Sequence, residues 1–241
     1  MIQLYNRPTM RILSIAIAFC LAFSLTSRAQ NTLTAQEKKD GWKLLFDGKT
    51  TKGWHVYLNK SNGAAWKATD GSLSFDPQAE GKGDLLSDGE YENFELSVDW
   101  KVEEGGNSGI IFLAVESPKY EHAWHTGPEM QCLDNDRHPD GKIPKHRAGN
   151  LYDLIASKQE SVKAPMEWNT AKIICNKGHL ELWLNNVLQV ETTMFTPEWA
   201  AMIKGSKFVK YPDFGTARKG HLMLQDHGNK VWFRNIKIRE L

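Results

Sequence analysis

The sequence predicts an all-β protein: one jelly-roll β-sandwich of two antiparallel sheets with one short helix. Three observations predict it. Short runs of alternating apolar and polar residues recur from Gly41 to Leu241. Turn residues separate those runs at short intervals, the pattern of an antiparallel sandwich or barrel. Only residues 194–208 read as helical, with Pro197 near the start, where the fixed φ of proline is tolerated. At 241 residues the chain exceeds an immunoglobulin-type sandwich of about 100 residues, so a larger jelly roll fits better. No internal repeat is present, which argues against a propeller.

Residues 1–29 read as an export signal. Arg7 and Arg11 precede the apolar run "ILSIAIAFCLAFSL", and Ser27 and Ala29 are small residues at the positions a signal peptidase reads. The run is too short for a membrane span of about 20 residues, so cleavage after Ala29 is expected, leaving no membrane span. Phe19 before Cys20 disfavours lipid attachment. These features predict a periplasmic or extracellular protein. Residues 30–40 form a polar lead-in, and 41–241 a single domain.

The strands follow in order. "WKLLFDG" and "GWHVY" are short and end in turns. "AWKATDGSLSF" is a hairpin, with Asp70 and Gly71 at its tip. In "YENFELSVDWKVE", Phe94, Leu96, Val98 and Trp100 share one face and Glu95, Ser97, Asp99 and Lys101 the other, a half-buried strand. "GGNSGIIFLAV" enters its strand through glycines. "EMQCLD" turns Glu129 and Gln131 one way and Met130 and Cys132 towards the core. "TAKIICNKGHLELWLNNVLQVE" is a meander with turns at Asn176–Gly178 and Asn185–Asn186, residue types that tolerate positive φ. "GHLMLQDHG" places Leu222 and Leu224 in the core, Gln225 and His227 on the other face, and Asp226 on the core side or in the turn. "NKVWFRNIKIREL" closes the chain.

Thirty Lys and Arg against 29 Asp and Glu give no basic footprint, so neither nucleic acid nor a membrane surface is an expected partner. Nine Trp are many for this length, and most are expected in the core. Beyond the signal two cysteines remain, Cys132 and Cys175, both on apolar strand positions and expected as buried free thiols, although export would permit a disulfide.

Chemistry concentrates in "TGPEMQCLDNDRHPDGK" and "HLMLQDHG". Each strand offers a polar pair on one sheet face, Glu129 with Gln131 and Gln225 with His227. "DNDRHPDG" begins like a calcium loop and fails, because Gly141 is eighth from Asp134 instead of sixth and Lys145 stands where Glu is required. No zinc-site spacing, nucleophile elbow, phosphate loop or dinucleotide fingerprint is present. A conventional glycosidase needs two facing carboxyls. Gln131 stands where a laminarinase-type pattern wants the second acid, so the sequence offers one strong carboxylate, Glu129.

The segments "GWKLLFDGKTTKGW", "GNSGIIF", "GPEMQCLDNDRHPD", "AGNLYDL", "EWNTAKI", "LELWLNN" and "HLMLQDHGNKVWFRNIKI" together resemble the 3-keto-disaccharide hydrolase family over Gly41 to Leu241. The resemblance implies a concanavalin A-like sandwich acting on an oligosaccharide or glycoside already oxidised at C3. The C3 ketone acidifies the C2 hydrogen, a base removes it, the C1 substituent leaves and water adds. This route needs one base, a proton donor and a group that polarises the ketone. Glu129 or His138 is the expected base and His227 the partner acid. Gln131, Gln225 and Asn107 are expected to bind the ketone or hydroxyls, or to hold a divalent metal ion that does so. Trp124 is expected to stack on the sugar, and Tyr152 of "AGNLYDL" to bind it. Two other readings stand beside this one, a non-catalytic carbohydrate-binding module and a conventional glucanase-type glycosidase. Convergence of Glu129, His138 and His227 would favour an enzyme.

Overall fold

A computed structural model describes Met1 and residues 30–59 and 63–241. The expected export signal therefore lies outside the described residues. Among the described residues, thirteen strands form two antiparallel sheets. The larger sheet contains β1 (Lys43–Leu44), β3 (Trp66–Thr69), β4 (Ser72–Phe75), β6 (Phe94–Val102), β9 (Asn169–Asn176), β10 (His179–Leu184), β11 (Val187–Thr193) and β13 (Val231–Glu240). Its order is β11-β10-β9-β6-β13-β4-β3, with β1 also paired to β13. The smaller sheet contains β2 (Trp54–Val56), β5 (Leu85–Tyr91), β7 (Asn107–Ala114), β8 (Glu129–Leu133) and β12 (Gly220–Leu224), in the order β2-β5-β12-β7-β8.

Alternation explains the packing. On β6, Phe94, Leu96, Val98, Trp100 and Val102 are buried and meet Ile110, Phe112, Met130, Leu222 and Leu224 from the facing sheet. Side chains of both inner faces fill one core, as sandwich packing requires. The hairpin tips behave as their residues dictate. Asp70–Gly71, Lys177–Gly178 and Asn185–Asn186 all take positive φ, the geometry of two-residue turns that match strand twist.

The smaller sheet is also covered on its outer face. Leu86, Ile111, Ala114, Ala123 and Met223 form a second buried cluster there, with Tyr57 and Trp124 packed against it. This second cluster is the apolar flank of the candidate site.

Three expectations need correction. The helical region is shorter than 194–208, because α2 spans Pro197–Lys204 with Thr196 as its N-cap and a separate 3-10 turn covers Lys207–Lys210. It is not the only helix. The polar lead-in contains α1 (Ala35–Lys39), started by a capping box between Thr34 and Glu37. Most Trp are not in the core: Trp54, Trp66, Trp100 and Trp199 are buried, and the other five are half-buried. All five of those carry cations, as where Arg234 lies 3.9 Å from the Trp168 ring centre and Lys172 4.5 Å from that of Trp183. Cys132 and Cys175 are buried and free.

The lead-in is stitched to the larger sheet. The Asn31 N–H donates to Asn235 Oδ1 at 2.7 Å, and the Asn235 N–H donates back to Asn31 Oδ1 at 2.9 Å. Glu37 pairs with Lys237 beside them. Among the described residues no helix is long and apolar enough to cross a membrane.

Candidate active site

The site floor follows from strand alternation. Glu129 and Gln131 face outward from the smaller sheet, while Met130 and Cys132 enter the core. On β7, Asn107, Gly109 and Ile111 pair with Leu133, Gln131 and Glu129, so they share that outward face. Gln225 follows β12 and donates its backbone N–H to the Gly109 carbonyl at 3.0 Å. Glycine at 109 leaves room for the Glu129 side chain, since a Cβ there would lie 2.7 Å from the Glu129 carboxyl carbon.

Above this floor lies a cavity of about 440 Å³. Glu129, Gln131 and Gln225 line its base, Trp124, Tyr152 and Phe208 supply rings, and Lys207, Asp84, Asp226 and His227 supply charge and proton chemistry. The size is that of a small-ligand pocket. Six of the eight residues expected from sequence therefore line one cavity: Glu129, His227, Trp124, Gln131, Tyr152 and Gln225.

His138 and Asn107 do not. His138 Nδ1 accepts the Asp140 N–H at 3.2 Å, capping a 3-10 turn at Pro139–Lys142, and its ring meets that of His227 edge-on at 5.9 Å. His138 thus meets the cavity through His227, which lines it. Asn107 is buried beneath the rim, with Nδ2 3.4 Å from His227 Nε2. The loop itself is closed by Asp134, whose carboxylate accepts the N–H groups of Gly105, Asp136 and Arg137. An Asx-type turn accounts for its acidic sequence.

Glu129 is 6% exposed, and among the described residues nothing hydrogen-bonds its carboxyl. Burial pushes it up to about 8, against the pull of the Lys207 ammonium and with added repulsion from Asp84 and Asp140. Asp84, in the loop before β5, keeps part of its surface open to the cavity, and burial of the rest pushes its carboxyl up to about 7. His227 is exposed at the rim, yet the protein around its ring lowers its pKa, helped by His138. Tyr152 donates its hydroxyl to Asp140 Oδ2 at 3.1 Å, and burial raises its pKa, so it remains a phenol. Lys207 lies 4.1 Å from the Tyr152 ring centre, and desolvation of its ammonium lowers its pKa although the residue is exposed.

Sequence reasoning missed Asp84, Lys207, Phe208, Tyr57 and His122. "GKGDLL" offered a signal for Asp84, an acid after glycines at a strand start, but that strand went unread. Nothing local marks Lys207. Among the described residues, His179, Glu181 and Glu191 are the group whose ligand atoms lie within 4.8 Å of one another, and they sit on β10 and β11 of the larger sheet. The cavity lining holds no such group among the described residues.

The two raised carboxyls make stability depend on pH. From ordinary values of 4.5 and 3.8, Glu129 and Asp84 rise to about 8 and about 7. The folded chain then holds protons that the unfolded chain has lost, so stability falls as pH rises. Their contribution is full below the ordinary values and is lost above about 7 for Asp84 and about 8 for Glu129. Melting temperatures across this range should decline with pH, and Glu129→Gln should flatten the decline. An unchanged slope in the variant would show that Glu129 is not held protonated.

The chain is similar to several known proteins. The family described as "3-keto-alpha-glucoside-1,2-lyase-like domain" matches residues 41–239. A 3-keto-disaccharide hydrolase of Bacteroides thetaiotaomicron is 34% identical over 252 residues, covering 93% of this chain and 87% of that protein. A protein of Parabacteroides distasonis, provisionally described as a glycosyl hydrolase, superposes with a TM-score of 0.83 at 31% identity, covering 88% of this chain and all of the other. A second from the same organism, described in the same way, gives 0.61 at 29% identity, covering 83% and 99%. The two superposed structures share the fold of this chain, an all-β sandwich of two antiparallel sheets. The chain belongs to the 3-keto-alpha-glucoside-1,2-lyase-like domain family.

Proposed function

We propose that the protein cleaves glycosides whose sugar is already oxidised at C3, by eliminating the C1 substituent and then adding water. The observation that carries the reading is Glu129, a buried carboxyl with no hydrogen-bond partner among the described residues, facing a cavity it shares with Lys207 and two amides. A carboxylate with a raised pKa is a stronger base towards a carbon-bound proton, so Glu129 takes the proton from C2. Negative charge then develops on the C3 oxygen. Lys207, Gln131 and Gln225 are the donors in the lining that can meet it, and they would stabilise the enolate more than the ketone. Trp124 and Tyr152 give the sugar ring apolar surface. The lowered pKa of His227 suits an uncharged ring that bonds hydroxyls or water at the rim. The export-type N-terminus supports action in the periplasm or outside the cell, and a mature protein beginning at Gln30 is its check.

A binding module has no use for a buried carboxyl in its groove, so the lining favours an enzyme. A conventional glycosidase has one observation in its favour: Asp84 gives the cavity a second carboxyl. Incubation with a 3-keto-disaccharide and with its unoxidised parent separates the two, with and without chelator. Sugar release from the 3-keto substrate alone is expected. Release from the parent alone would overturn the proposal in favour of conventional hydrolysis.

A further inference from the structure

We propose that Asp84 is the catalytic acid that protonates the departing glycosidic oxygen, and that Asp226 is the residue that positions it. This rests on the elimination reading above and supplies the proton donor that reading lacks.

The geometry is a reciprocal clasp between two chain segments at one wall of the cavity. Asp84 Oδ1 accepts the Asp226 backbone N–H at 3.0 Å. Asp226 Oδ2 accepts the Gly83 N–H at 2.9 Å, and its Oδ1 accepts the Gly228 N–H at 2.9 Å. Two hydrogen bonds thus tie the loop before β5 to the turn after β12, and the third closes that turn on Asp226. Both oxygens of Asp226 are engaged. Only one oxygen of Asp84 is, and among the described residues its Oδ2 carries no hydrogen bond. Asp84, Asp226 and Glu129 all line the same cavity. The clasp therefore fixes Asp84 while leaving one oxygen for a ligand.

The Asp84 charge raises the need of Glu129 for a proton, and burial with the Asp226 charge raises that of Asp84, so between about 7 and about 8 the two carboxyls hold one proton, which rests on Glu129. Lys207 favours charge on Glu129, since its ammonium opposes the rise there and does not figure among the influences on Asp84. The reacting form is the other tautomer of that pair, with the proton moved so that the carboxylate is at Glu129 and the acid at Asp84.

The step balances. Glu129 takes the C2 proton, and the C2–H electron pair becomes the C1=C2 bond by way of the C3 enolate. The C1–O bond breaks with its electrons, and the leaving oxygen takes the Asp84 proton. Glu129 ends protonated and Asp84 ionised. Hydration reverses the pair: Asp84 takes a proton from water as its oxygen bonds C1, and Glu129 returns a proton to C2.

The test is Asp84→Asn, which keeps an oxygen for the Asp226 N–H and removes the acid. An acid catalyst matters most when the leaving group is poor. For a 3-keto-glucoside releasing a sugar, kcat/KM should fall by about 10²–10⁴-fold, while the 4-nitrophenyl 3-keto-glucoside should lose under about tenfold. Exchange of the C2 hydrogen of 3-keto-1,5-anhydroglucitol in deuterated water needs only the base. It should persist in Asp84→Asn and vanish in Glu129→Gln. Equal loss on both leaving groups, loss of the exchange, or full activity on the sugar substrate would each overturn the assignment. A wild-type protein inactive on every 3-keto-glycoside would instead sink the functional reading itself.

Discussion

Glu129→Gln should lower kcat on a 3-keto-disaccharide by about 10²–10⁴-fold, with KM changed far less. The substitution keeps the size of the side chain and removes only its capacity to take a proton. Glu129 is buried, stands beside the Gly109 gap and has no hydrogen-bond partner among the described residues, so glutamine should be accommodated without loss of fold. A neutral amide also relieves the cost of ionising a buried carboxyl, so the variant should melt at or above the wild-type temperature at pH values above about 8. Loss of activity with retained or raised stability marks a group kept for chemistry. Unchanged turnover would remove Glu129 from the mechanism. Lost activity with a collapsed melting transition would make its role structural.

Gly109→Ala should lower kcat by about 10²-fold, the order of loss expected when a reacting group is displaced by about 1 Å. The added methyl would overlap Glu129 Oε1 and approach its Cδ to 2.7 Å and its Cγ to 2.8 Å. The Gly109 backbone does not take positive φ, so the effect is one of space alone. The methyl should drive the carboxyl towards the cavity and away from its working position. If so, Gly109→Ala should add little to Glu129→Gln, because both act on one side chain. Kinetics of the two single variants and the double variant check this. Independent, additive losses would show that Gly109 acts elsewhere.

Much of this site was legible in sequence because strand period carries the information. A period of two is enough to place Glu129 with Gln131, and Gln225 with His227, on one face opposite Met130, Cys132 and Leu224. The structure puts both pairs in one cavity. What was hidden has physical reasons. The strand Leu85–Tyr91 begins with two buried leucines, Leu85 in the main core and Leu86 in the outer cluster. A strand covered on both faces shows no alternation, and with it went Asp84. Lys207 comes from a 3-10 turn after α2, joined to the site only by tertiary packing. The half-buried Trp escaped prediction because hydropathy ranks a ring without reporting the Lys or Arg that shields it. The sequence argument from a missing second carboxyl was sound for β8 alone; the other acids arrive on the loop before β5 and the turn after β12.

The pairing of Asn31 with Asn235 has a practical consequence. It anchors the polar lead-in to β13 of the larger sheet, whereas the cavity opens on the outer face of the smaller one. The lead-in and the cavity therefore face opposite ways. A solid support, fusion partner or surface anchor joined ahead of Asn31 would hold the protein by its back and leave its mouth towards the medium. Immobilised through that end, the domain should turn over bulky, even polymer-bound, substrates as freely as it does in solution.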